Sequence, residues 1–138
     1  MNFSGFNIWE VLVAAASAFV LGAIWYSPKL FGATWQRLVG LSDEQIKDSN
    51  PAIIFGTSFV LLFIAALFLS FFVEIFTMMG STAVMGAMAG GFLCLVFVAT
   101  SFGVNYLFAR RPLKLYLIDV GYLLLTFMVM GTIIGVWT

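Results

Sequence analysis

Long apolar runs, rather than alternating positions, organise this chain. They extend from about Ile8 to Tyr26, Ala52 to Phe76, Ala83 to Ala109 and Pro112 to Trp137. An α-helix needs about 20 mainly apolar residues to cross the hydrocarbon core of a bilayer, and each run is close to that length or longer. Strands of a membrane barrel are shorter and alternate polar with apolar, which none of these runs does. Backbone groups left unpaired in lipid cost several kcal/mol each, so such runs close their hydrogen bonds within themselves as helices. No charge occurs between Glu74 and Arg110, so the turn between the second and third runs is placed at Thr77-Met78-Met79-Gly80-Ser81-Thr82. The pattern predicts an all-α fold: one transmembrane domain over residues 1–138, an integral membrane four-helix bundle.

Residues 27–51 form the sizeable polar segment. Pro28 ends or kinks the first helix, because proline lacks the N–H a helix interior requires. Phe31, Trp35 and Leu38 then recur at helical spacing opposite Gln36 and Arg37, the pattern of a short helix lying in the membrane interface. Ser42 with Gln45 three residues later is a capping-box pattern for a second short helix, which Pro51 separates from the second span. The segment reads either as a connector or as a surface that docks a partner through residues 29–49.

Composition agrees with lipid as the solvent. Of 138 residues, 63% are hydrophobic and 9% charged, whereas soluble domains average about 25% charged. Net charge is zero, which leaves no electrostatic footprint for nucleic acid. Histidine is missing, and with it the commonest metal ligand and the usual near-neutral proton carrier. A lone cysteine, Cys94, cannot form an intrachain disulfide. The first run has no Lys or Arg before it, carries Glu10, and continues past the cleavage-like Ala16-Ser17-Ala18, so it reads as a retained span rather than a signal peptide.

Charge also gives the chain a direction. Lys29, Arg37 and Lys47 lie between spans one and two, and Arg110, Arg111 and Lys114 between spans three and four; the opposite side holds none of the six cations. The positive-inside rule places both basic loops in the cytoplasm of a cell (inner or plasma) membrane and both termini outside it. Trp9 and Trp137 suit the outer aromatic belt; Trp25, Tyr26, Trp35 and Tyr116 suit the inner one.

Small residues suggest how the helices meet. Helices in lipid associate through close backbone approach, without a hydrophobic drive between them. Ala14, Ala18 and Gly22 form one stripe in span one. Ala83, Ala87 and Gly91 form another in span three, beside Gly86 and Gly90, and span four offers Gly131 and Gly135. Span two, rich in Phe and Leu, is expected to face lipid most. The adjacent stripes on span three would also suit a homo-oligomer.

Asp119 is the most informative polar residue. A charged side chain at mid-span costs about 2.5–3.5 kcal/mol on insertion scales and usually faces the bundle interior with a partner. Asn105 lies seven residues before Pro112 and Asp119 seven after, which puts them at one depth in a tight hairpin. Tyr116, Asp119, Tyr122 and Thr126 share a stripe, and Trp25 and Tyr26 end span one at the same level. The expected cluster is Trp25, Tyr26, Asn105, Asp119 and Tyr122. It reads either as a satisfied structural network, with Asp119 tied to Arg110, Arg111 or Tyr26, or as a proton or ligand site in a small transporter or channel-like protein. Asn7 and Glu10 resemble a helix cap with its reciprocal partner. Glu10 with Glu74 is a carboxyl pair on the opposite side, a candidate outer cation site. Methionines at positions 78, 79, 85, 88, 128 and 130 are ordinary core fillers before they are copper ligands. Nucleophile–base pairs, phosphate loops and metal-ligand spacings are missing from the sequence, which argues against an enzyme and calls for no cofactor or metal.

Two stretches carry a resemblance. One is Gly22-Ala23-Ile24-Trp25-Tyr26-Ser27-Pro28-Lys29-Leu30-Phe31-Gly32-Ala33-Thr34-Trp35. The other runs from Asn105 through Arg111-Pro112 to Ile118-Asp119-Val120-Gly121-Tyr122 and on to Gly131 and Trp137. Together they resemble the bacterial membrane family called domain of unknown function 1761, over essentially the full chain. The resemblance implies a four-helix membrane protein of unassigned activity and brings no catalytic residues. It adds Ser27, Pro28, Phe31, Gly32, Trp35 and Gly121 to the positions of interest.

Overall fold

A computed structural model describes residues 7–80 and 82–137. In chain order the helices are α1 (Ile8–Trp25), α2 (Gly32–Val39), α3 (Asp43–Lys47), α4 (Pro51–Thr77), α5 (Thr82–Leu93), α6 (Thr100–Phe108) and α7 (Leu113–Trp137). A π-helical segment, Cys94–Ala99, joins α5 to α6, so Thr82–Phe108 is one continuous rod. Four helices, α1, α4, the α5–α6 rod and α7, are long and apolar enough to cross a membrane. The chain is thus an all-α, multi-pass bundle with no strand among the described residues. Ser81, in the expected second turn, lies outside the described residues; Met78 to Gly80 form its near side.

Local chemistry sets the ends of these helices. Asn7 caps α1 by accepting from the Trp9 N–H at 3.0 Å. Glu10 does not return the favour: its side chain is buried, 6% exposed, instead of reaching back to the Asn7 N–H. The reason is that Glu10 lies on the face of α1 that Val11, Ala14 and Ala15 bury in the bundle, so its side chain packs there rather than on the cap. Ser42 and Gln45 do form the capping box that opens α3. Asn50 caps α4 ahead of Pro51, where the missing N–H costs nothing.

Many large side chains face outward, while alanines line much of the interior beside Val11, Leu69, Val73, Met130 and Ile134. Phe55, Leu61, Phe68, Leu107 and Phe108 are exposed, whereas Ala14, Ala15, Ala18, Ala66 and Ala89 are fully buried. The tightest contact joins α5 to α7 through glycine. A Cβ on Gly86 would stand 2.0 Å from the Gly131 carbonyl oxygen, and one on Gly90 would stand 2.0 Å from that of Phe127. Those backbones can approach so closely only because both positions lack side chains. The Gly86–Gly90 stripe therefore holds α7, and the outward face of α4 is left to lipid; α4 is the least buried of the four spans and α7 the most.

Candidate functional site

The first span ends in a hook. After Trp25 the chain reverses through Tyr26-Ser27-Pro28, and the Ser27 carbonyl accepts from the N–H groups of Leu30 and Gly32 at 3.1 and 3.0 Å. Phe31 N–H donates to the Trp25 carbonyl at 3.1 Å. A Cβ on Gly32 would fall 2.2 Å from the Tyr26 carbonyl oxygen, so glycine is needed where α2 folds under α1. The hook stacks Phe31 on Trp25, with centroids 4.7 Å apart, and sets Trp35 edge-on to Tyr26 at 5.7 Å. That contact explains the spacing of the Trp-Tyr-Ser-Pro motif: its aromatics hold one another while the backbone turns.

The hook aims two rings at α7. Trp25 Nε1 donates to the Ile118 carbonyl at 3.1 Å, and Gly121 leaves room for its indole, since a Cβ there would meet Trp25 at 3.3 Å. Tyr26 donates its hydroxyl to Asp119 Oδ1 at 2.6 Å. Tyr122 packs edge-on to Tyr26 at 5.2 Å and donates to the Ala18 carbonyl at 3.0 Å. Trp25, Tyr26, Asp119 and Tyr122 therefore meet at the basic end of the bundle.

Asn105 does not join them. Its side chain is exposed and donates to the Ser101 carbonyl, one turn back on its own helix, at 3.0 Å. The second partner of Asp119 is the next residue: Tyr106 donates to Oδ2 at 2.5 Å. The cause is the π-helical segment. A regular helix advances about 100° per residue, so Asn105 would sit about 60° from the Gly90 face. A π turn absorbs one extra residue, and that bearing passes to Tyr106. The segment is tolerated because its loosened carbonyls find hydroxyls: Thr100 donates to Val96 at 2.6 Å, Ser101 to Phe97 at 2.6 Å, and Tyr116 of α7 to Ala99 at 2.9 Å. The Arg111 N–H then closes α6 onto the Tyr106 carbonyl at 2.9 Å, with Arg110 in the left-handed region at φ 53°.

Asp119 is 8% exposed. Both its oxygens accept phenolic hydroxyls, and neither Arg110 nor Arg111 reaches it; the Arg111 guanidinium donates to the Val39 carbonyl at 3.4 Å. The junction is thus a carboxyl held by two phenols from two other spans, without a cation among the described residues. Tyr26 also lines an open cleft of about 240 Å³ beneath the hook, together with Pro28, Gly32, Trp35, Gln36 and Ile46. At the other end of the bundle, Glu74 is exposed on α4 while Glu10 is buried on α1, and no group of three metal-ligating side chains forms among the described residues. The methionines do not converge: Met130 lies in the core, while Met78, Met79, Met88 and Met128 face outward.

A family model described as "Protein of unknown function (DUF1761)" matches residues 9–135. No curated protein and no solved structure matches the chain.

Proposed function

The chain belongs to the DUF1761 family of unknown function, and we propose that it is a small transporter or channel-like protein that handles a proton or small cation at the Asp119 junction. The observation that carries this reading is a buried carboxyl whose partners are two phenols rather than a cation. A charge in a low-dielectric interior is costly, and a purely structural tie could use neutral groups at lower cost. A phenol hydroxyl both donates and accepts. When Asp119 takes up a proton, one tyrosine can turn from donor to acceptor, and the junction re-pairs without coming apart. Tyr26 links that exchange to the cleft beneath the hook.

The test is proton flux into proteoliposomes carrying an internal pH dye. The protein should raise flux well above that of protein-free vesicles, and Asp119→Asn should lower it at least about tenfold, the effect of raising a barrier by about 1.4 kcal/mol. Equal flux in the mutant, or no flux from the unaltered protein, would overturn the assignment. The second reading is a structural or accessory protein. It draws on the full occupation of both Asp119 oxygens and on the amphipathic α2, which buries none of its residues and could present residues 29–49 to a partner.

Orientation follows from charge. The six cations on one side assign the hook and the α6–α7 turn to the cytoplasm of the cell membrane, and both ends of the chain to its exterior. In a Cys94→Ala background, an impermeant thiol reagent added outside cells should label Trp137→Cys and leave Lys47→Cys untouched. The opposite labelling would reverse every assignment of side.

A further inference from the structure

A second cleft, of about 500 Å³, lies on the flank of the bundle between the hook and α7, outside the Asp119 junction. Trp25, Leu30, Phe31 and Gly121 line its apolar part, and Thr34 and Lys114 stand at its polar part. We propose that this cleft seats an anionic phospholipid, its phosphate on Lys114 and Thr34 and an acyl chain against Trp25, Phe31 and Gly121.

Three observations select that occupant. First, the polar groups are unused donors: neither the Lys114 ammonium nor the Thr34 hydroxyl has a hydrogen bond or ion pair among the described residues. An ammonium and a hydroxyl lining one cleft suit a phosphodiester, which offers acceptors and one negative charge. Second, Lys114 lies in the first turn of α7, where the helix dipole already presents positive charge. A cation is disfavoured there unless an anion offsets it. Third, the apolar lining sits at the end of the spans where all the cations gather, the depth at which a headgroup and the top of its chain lie side by side. Gly121 lets the indole settle against α7, so the ring forms a wall of the cleft. The orientation of the protein does not enter, because the lipid is recognised by whichever leaflet meets the basic end.

Trp25 is a built-in reporter. The chain with Trp9→Phe, Trp35→Phe and Trp137→Phe keeps Trp25 as its sole tryptophan, and brominated acyl chains quench tryptophans they touch. Vesicles of phosphatidylcholine would be doped with an equal, low fraction of dibrominated phosphatidylglycerol or dibrominated phosphatidylcholine. Quenching by the anionic lipid should exceed that by the zwitterionic one, corresponding to about fivefold enrichment for one lysine near the surface. Lys114→Gln should abolish the difference, and 1 M salt should reduce it, since the Debye length falls to about 3 Å. Equal quenching by the two lipids, or a preference that Lys114→Gln leaves intact, would overturn the seat. Should the triple variant fold poorly, the unaltered protein gives the same answer. The anionic-selective part of its total quenching should vanish in Trp25→Phe, and persistence there would also overturn the proposal.

Discussion

Asp119→Ala is expected to destabilise the bundle by about 3 kcal/mol, read as a shift in unfolding of the purified protein in mixed micelles. Hydrogen bonds to charged groups contribute about 1.5–3 kcal/mol each, and Asp119 accepts two, from Tyr26 at 2.6 Å and Tyr106 at 2.5 Å. Removing it also strands two phenolic hydroxyls in a region with little water. Neutral interhelical bonds in membranes average only about 0.6 kcal/mol, so a loss below about 1 kcal/mol would mean that the two bonds contribute no more than neutral ones. Replacing the whole network should be far milder than breaking it. The triple change Asp119→Leu, Tyr26→Phe, Tyr106→Phe leaves no orphaned polar group, and apolar substitution of a complete buried network is often neutral. It should return to within about 1 kcal/mol of the unaltered protein. A triple variant as unstable as Asp119→Ala would show that geometry rather than unpaired polarity sets the cost.

The transport reading and this stability measurement are separable. Stability responds to the hydrogen bonds whatever the junction does, whereas flux responds only if Asp119 exchanges its proton. Asp119→Asn keeps one acceptor oxygen for one phenol and presents an amide donor to the other. It should therefore lose roughly half the stabilisation, about 1.5 kcal/mol, and remain folded enough for the flux assay.

The spans were legible from the sequence because lipid imposes a single requirement on a backbone, and apolar runs of the right length meet it in one way. The helices of the structure start and stop close to where the runs do. The hook was legible as a break at Pro28, but not as the device that turns Trp25 and Tyr26 toward α7. That depends on the close pass of Gly32 under Tyr26, a contact between residues that sequence periodicity treats as independent. Glu10 was misread for a related reason: a capping pattern describes local reach, and the bundle offered its side chain a different direction. Tyr26 was among the partners the sequence offered for Asp119, but the second partner was missed by one residue. Counting outward from Pro112 fixes depth but not bearing. Tyr106 was as visible in the sequence as Asn105, and only the π-helical segment decides between them. The signal that could have pointed to it is Thr100-Ser101, two hydroxyls positioned to satisfy carbonyls that a widened turn releases.

That reasoning yields the other large expected effect. Inserting one alanine after Thr100, with the π-helical segment kept, should add one regular α-helical residue and rotate everything from Ser101 to Phe108 by about 100° relative to α7. Asn105 would then take the bearing that Tyr106 now holds, and Tyr106 would turn away. The insertion should cost about as much as losing the Tyr106 bond to the Asp119 carboxyl, about 1.5–3 kcal/mol. The informative variant combines the insertion with Asn105→Tyr. It places a phenol back on the Asp119 bearing and should recover at least about 1 kcal/mol of the loss. Without the insertion the same Asn105→Tyr change lies on the exposed face and should leave stability within about 0.5 kcal/mol. If Asn105→Tyr fails to rescue the insertion while helicity is retained, the residue count from the π-helical segment is not what turns Tyr106 onto Asp119, and the bearing must be set instead by the α6–α7 turn at Arg110 and Arg111.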